Sequence, residues 1–206
     1  DSIPGGAYYW TTLDIGNIYY FQKNLDKAEK YYKESLEGFS ELRYKKQASR
    51  YLDSIEHLAG LNGMAVSLNN LGLIYRKKEN FKKSLDYHSK ALILRKKIAK
   101  INKKEVQGIA HSYGYIGYCH DLLDNNQTAM SYYRKAMDIL KDTFNLDNLY
   151  RTNYIQFLAQ TYSRMGTLHL KLKNYKNAES SLKESIKLFR EMHNPGETIS
   201  SLQYLS

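Results

Sequence analysis

Reactive side chains are present in this chain, but nothing arranges them for catalysis. The six histidines are scattered, Cys119 is the single cysteine, and no Walker loop, GxGxxG, HExxH, CxxC or GxSxG segment occurs. No two carboxylates stand out as an acid/base couple, so no catalytic residue, metal-ligand set or cofactor is assigned, and the chain is not expected to be an enzyme. The chemistry on offer is recognition. Twenty tyrosines and one tryptophan supply large rings with polar tips, the side chains that dominate binding energy at interfaces. Cations are concentrated as well: twelve of the 31 Lys and Arg residues lie between Arg76 and Lys104, with two acidic residues among them. That stretch alone accounts for the net charge of +10.

Within it, Lys83, Lys90, Lys97 and Lys104 recur at every seventh position and share one flank of a helix, with Lys82 and Lys100 about a third of a turn away. Such a face can dock an acidic partner, a nucleic acid or an anionic lipid surface; it can equally be a solvated face that keeps the protein in solution. Beyond Tyr87 it has no interleaved aromatics, and no nucleic-acid motif accompanies it, so nucleic acid is not the expected partner. The triplet Asn126-Gln127-Thr128 matches a glycosylation sequon, a pattern that arises by chance in most chains of this length.

Helices must position these groups. Only Pro4 and Pro195 occur, leaving 190 residues between them without proline, as long helices require. A 42% hydrophobic and 25% charged composition is that of a folded chain, and no stretch approaches the ~18 apolar residues of a membrane span. The lone cysteine says little about compartment; cytoplasm is the expectation, or periplasm if the chain is the sensing part of a membrane receptor. A unit also recurs. Gly72 precedes Asn80 by eight residues and Ser84 by twelve, and the same offsets link Gly16, Asn24 and Ala28, then Gly117, Asn125 and Ala129, then Gly166, Asn174 and Ala178. Apolar residues stand before each glycine (Ile15, Leu71, Ile116, Met165), and Tyr19, Tyr75, His120 and His169 stand three after it. Tyr32, His88, Tyr133 and Leu182 lie four after the small residue, with Leu36, Leu92, Met137 and Ile186 four further on. Each unit predicts two amphipathic helices and a tight turn. Glycine facing Ala or Ser removes side chains where the two axes cross, and asparagine is expected to take the left-handed conformation that closes the first helix.

This small–aromatic–small pattern resembles the tetratricopeptide repeat and covers roughly residues 8 to 191. The resemblance implies an all-α fold, a right-handed α-solenoid of about four hairpins, read as a single domain with units near 8–60, 61–104, 105–146 and 147–194. The glycines are 56, 45 and 49 residues apart, wider than the family's period of about 34. The second helices are therefore expected to run long, with an extra segment around Arg43 to Gly60, as in extended variants from bacterial signalling and regulatory proteins. Ile199, Leu202 and Leu205 predict the start of a further helix in an incomplete unit over 195–206. With Asp1 rather than Met at the start, the chain is expected to be a processed form or a piece of a longer protein.

In such arrays the first helices line a concave groove. Projected here, that face selects Trp10, Leu13, Asn17 and Tyr20; then Asn69, Asn70, Leu73 and Arg76; then Tyr115, Tyr118 and Asp121; and finally Arg164, Thr167 and Lys171. The implied function is a protein- or peptide-binding module for sensing or scaffolding. Family members that bind chaperone tails clamp two carboxylates with basic residues and asparagines. Asn17 and Asn70 fit the asparagine places, but Leu13, His111 and Tyr115 stand where cations belong, so a more apolar or aromatic peptide is expected. Oligomeric state is left open.

Overall fold

A computed structural model describes residues 5–47, 55–102, 105–143 and 151–192. Among the described residues the regular structure is helical, with no strand: α1 (Gly6–Phe21), α2 (Leu25–Gln47), α3 (Ile55–Lys77), α4 (Phe81–Ile101), α5 (Val106–Leu122), α6 (Asn126–Thr143), α7 (Arg151–Lys171) and α8 (Tyr175–Glu191). Two compact units divide the chain, residues 1–106 with α1 to α4 and residues 107–206 with α5 to α8. The wide first spacing is taken up by the 23-residue length of both α2 and α3. The centre of the extra segment, Lys104 and the expected helix after Pro195 lie outside the described residues.

All four hairpins turn in the same way. Before each turn asparagine one residue adopts φ near 60°: Lys23, Glu79, Asp124 and Lys173. The asparagine N–H then reaches back to the residue three after the repeat glycine, Asn24 to the Tyr19 carbonyl at 2.9 Å and Asn174 to the His169 carbonyl at 2.9 Å. This is a Schellman closure, which satisfies the last carbonyls of the first helix. The sequence expectation placed the left-handed residue on asparagine itself, and that is corrected here. Asn80 and Asn174 have φ of −88° and −92° and cap the following helix. The Asn24 Oδ1 accepts from Lys27 N at 3.2 Å and the Asn80 Oδ1 from Lys83 N at 3.1 Å. Capping selects asparagine because its carbonyl meets an otherwise orphaned N–H, worth about 1 kcal/mol.

The helix pairs cross closely. A Cβ on Gly16 would sit 2.6 Å from the Tyr32 ring, on Gly72 2.5 Å from His88, on Gly117 2.8 Å from Tyr133 and on Gly166 2.6 Å from Leu182. Each glycine thus leaves the space that the large residue of its own second helix fills. The facing Ala28, Ser84, Ala129 and Ala178 are fully buried, and Ser84 Oγ donates to the Gly72 carbonyl at 2.8 Å. On the flank, Tyr19 stacks on Tyr31, Tyr75 on Tyr87 and His120 on Tyr132, with ring centres 5.3–5.5 Å apart.

In the first unit, α2 packs on α3 through a buried hydrogen bond between Ser35 Oγ and Ser67 Oγ at 3.1 Å and an ionic cluster at one end. Glu29 takes Lys33 Nζ at 2.6 Å, Lys78 Nζ at 2.8 Å and the Tyr75 hydroxyl. Burial alone would push its carboxyl up; hydrogen bonds from Lys33, Lys78 and Tyr75 outweigh burial and hold the pKa at about 2, against 4.5 ordinarily. A depressed folded-state pKa contributes stability above the unfolded value and loses it as pH falls through the folded one. Glu29→Gln should therefore cost about 2 kcal/mol at pH 7, with the lysines' exposure discounting the full linkage value. Urea denaturation at stepped pH should show wild type and variant converging between 4.5 and about 2; a difference that persists at the lowest pH would refute the role.

Candidate functional site

The face of the first helices is built differently in the two units. In the first, Asn17 on α1 and Asn70 on α3 meet: Asn70 Nδ2 donates to Asn17 Oδ1 at 3.1 Å, and the Tyr32 hydroxyl donates to the same oxygen at 2.9 Å. Asn17 Nδ2 donates to Asp14 Oδ1 at 3.3 Å. Trp10 lies edge-on to Phe39 with ring centres 5.1 Å apart. Tyr20, Leu73 and Arg76 are half-buried. Asn69 is not on this face. It is 8% exposed, and its Oδ1 lies 3.0 Å from His88 Nδ1. One residue is about 100° of helix, enough to turn Asn69 inward while Asn70 stays half-buried. Leu13, 3% exposed, is likewise core rather than lining.

In the second unit the corresponding contact joins Tyr118 on α5 to Arg164 on α7. The Arg164 guanidinium lies 4.4 Å from the centre of the Tyr118 ring, and its Nη1 is buried without a hydrogen-bond partner. Asn17 and Tyr118 each follow a repeat glycine directly, and Asn70 and Arg164 each stand two before the next one. One geometry thus carries an amide pair in one unit and a cation on a ring in the other. Seven residues further along α7, Lys171 Nζ bonds Asp124 at 2.6 Å and lies 3.6 Å from Asp121. Burial pushes the Asp121 carboxyl up against the pull of Lys171. Tyr115 is edge-on to Phe157 with centres 6.0 Å apart, and Thr167 Oγ1 donates to the Arg164 carbonyl at 2.9 Å. The cluster offers a desolvated guanidinium N–H beside aromatic surface, which suits a carbonyl or carboxylate flanked by an apolar group.

The basic stretch is partly committed within its own unit. Lys78 pairs with Asp26 and Glu29, Lys90 with Asp86 at 2.6 Å, and Arg95 with Glu105. Lys83 lies 4.0 Å over the Tyr75 ring, while Lys82, Lys97 and Lys100 are exposed. Among the described residues no three His, Cys, Asp or Glu side chains gather as a metal site, and no helix is long and apolar enough to cross a membrane.

The tetratricopeptide-repeat pattern matches residues 63–142, 13–37 and 159–191. The chain belongs to the tetratricopeptide-repeat family. It is similar to the Cell division cycle protein 16 homolog of Homo sapiens and to that of Mus musculus, each at 28% identity over 159 residues, covering 66% of this chain and 24% of the relative. The chain thus spans about a quarter of the length of the curated relatives it matches. Among solved structures it resembles BtubC from P. vanneervenii, with a TM-score of 0.64 and 16% identity over 90% of this chain and 64% of that one. The apo form of RapI gives a TM-score of 0.64 and 15% identity over 96% and 48%. These two likenesses show the fold alone.

Proposed function

We propose that this chain is a non-catalytic module that binds a protein or peptide segment on the first-helix faces of its hairpins, for sensing or scaffolding. The observation that supports this most is Arg164. A guanidinium laid on a tyrosine ring, with one nitrogen buried and unmet, is costly unless an acceptor arrives. A main-chain carbonyl of a bound segment would meet it, while Tyr115 and Tyr118 receive an apolar or aromatic side chain of the same segment. Family membership adds to this reading, since such repeats build interaction surfaces. In the first unit, Asn70 offers the amide chemistry that holds an extended backbone.

The test is capture of partners on the immobilised chain, followed by peptide mapping and titration. Tyr118→Ala and Arg164→Ala should each weaken a mapped peptide roughly 30-fold, the loss typical of an interface anchor, with helical circular dichroism unchanged. If Tyr118→Ala combined with Asn70→Ala leaves every captured partner in place, the assignment of this face is wrong.

A further inference from the structure

A second site, away from the first-helix faces, follows from where the fourth and third repeats break their own pattern. In three hairpins the residue three after the glycine stacks on a tyrosine of the second helix. The fourth has His169 there, and the tyrosine position holds Ser181. His169 is 9% exposed, and its Nδ1 has no hydrogen-bond partner. The position that opens the second helix is Leu25, Phe81 and Tyr175 in three repeats but Asn126 in the third. Its Oδ1 is buried and unmet. His169 and Asn126 line one cavity of about 470 Å³ along the exposed side of α6 beside the end of α7. Three repeats carry an apolar or aromatic residue at the position of Asn126, whereas a buried amide oxygen and a buried imidazole nitrogen without partners cost free energy unless something meets them.

The cavity's chemistry identifies the occupant. Its charged lining is Arg134, Lys135 and Asp138, two cations against one carboxylate, and its apolar lining is Met130 and Leu172. Lys135 already lies over the Tyr132 ring at 4.9 Å, which leaves Arg134 to face an anion. Burial, with Arg134 beside it, pushes the imidazole below its ordinary value, so His169 is neutral near pH 7 and can offer one ring N–H. The unmet Asn126 oxygen requires a donor. We propose that this cavity binds a carboxylate carried beside an amide N–H, as an acidic residue of an extended peptide carries it. The N–H donates to Asn126 Oδ1, the carboxylate accepts from Arg134 and His169, and the methylenes lie over Met130 and Leu172.

The test is an NMR titration of the whole chain that reads the His169 ring nitrogens, assigned by their loss in His169→Gln. The probes are the capped peptides Ac-Gly-Glu-Gly-NH2 and Ac-Gly-Gln-Gly-NH2 and the free acid Ac-Gly-Gly-Gly-OH. The glutamate peptide should shift those nitrogens and the glutamine peptide should not; a response to the free acid alone would keep the carboxylate and assign its source to a chain end. Asn126→Leu installs the residue of the first repeat, so it should melt no lower than wild type, yet bind roughly tenfold more weakly. Arg134→Gln, on an exposed side chain, should weaken binding without loss of fold. Equal responses to the glutamate and glutamine peptides, His169 nitrogens unmoved by any probe, or an Asn126→Leu chain that binds like wild type would each overturn the proposal. None of these outcomes bears on Tyr118 or Arg164, so the two sites stand or fall separately.

Discussion

Gly38→Val is expected to destabilise the first unit by about 3 kcal/mol, the upper end of the usual cost of overpacking. A Cβ at Gly38 would stand 1.9 Å from the nearest atom of the Tyr9 ring, far inside van der Waals contact. That ring cannot step aside freely: Tyr9 is 6% exposed, with Tyr8 and Phe39 at 5.2 and 5.8 Å between ring centres. Phe39 in turn fills the space left by Gly63, so pushing one ring moves a chain of them. Gly60→Ala is the matched control. Its Cβ would lie 3.8 Å from the Phe39 carbonyl, an ordinary contact, and alanine in a helix interior gains up to ~1 kcal/mol over glycine. Urea unfolding followed by the fluorescence of Trp10, which packs on Phe39, should move in opposite directions for the two. Parallel shifts would contradict the packing described.

Tyr133→Ala should cost more, about 4 kcal/mol, as removal of a fully enclosed ring does. Tyr133 has no exposed surface and lies with Ala129, Met130 and Leu168 under the α5–α6 crossing. A Cβ on Gly117 would stand 2.8 Å from its ring and 3.2 Å from the Ala129 carbonyl. Gly117→Leu should therefore also destabilise, by about 1–3 kcal/mol. Together the two should cost clearly less than their sum, because the leucine occupies volume the tyrosine vacates and the sites share one space. Thermal melts of the two single variants and the double variant decide this. Strict additivity, or a Tyr133→Ala loss below about 1 kcal/mol, would mean that ring and glycine do not share that space.

The hairpin was legible because its parts are local. Glycine, turn asparagine and small residue lie within twelve positions, and helical geometry alone converts those offsets into a crossing and a turn. The candidate site was legible only in part. The face was assigned by register, which carries Asn17, Asn70, Tyr118 and Arg164 but misplaces Asn69, because adjacent helix positions differ by about 100° and the face has no sharp edge. Gly38 and its ring partner were not legible at all: Gly38 stands at no repeat position, and Tyr9 is 29 residues away. The second site left a signal of another kind, at Asn126 in its lining and at Ser181, where the ring that would stack on His169 is missing. Asn126 and Ser181 interrupt columns that are otherwise apolar or aromatic, and a break in a repeat can be seen without coordinates.

What the chain by itself determined is therefore the brick: an all-helical hairpin, repeated four times, closed by a capped turn and narrowed by glycine. The tertiary structure decided which residue of each turn takes the left-handed conformation, and it decided how one brick meets the next. Asn17 bonds to a residue 53 positions on, and Tyr118 lies under an arginine 46 positions on. Partners so far apart are chosen by how whole helices stack, a sum of many buried contacts that no short spacing encodes.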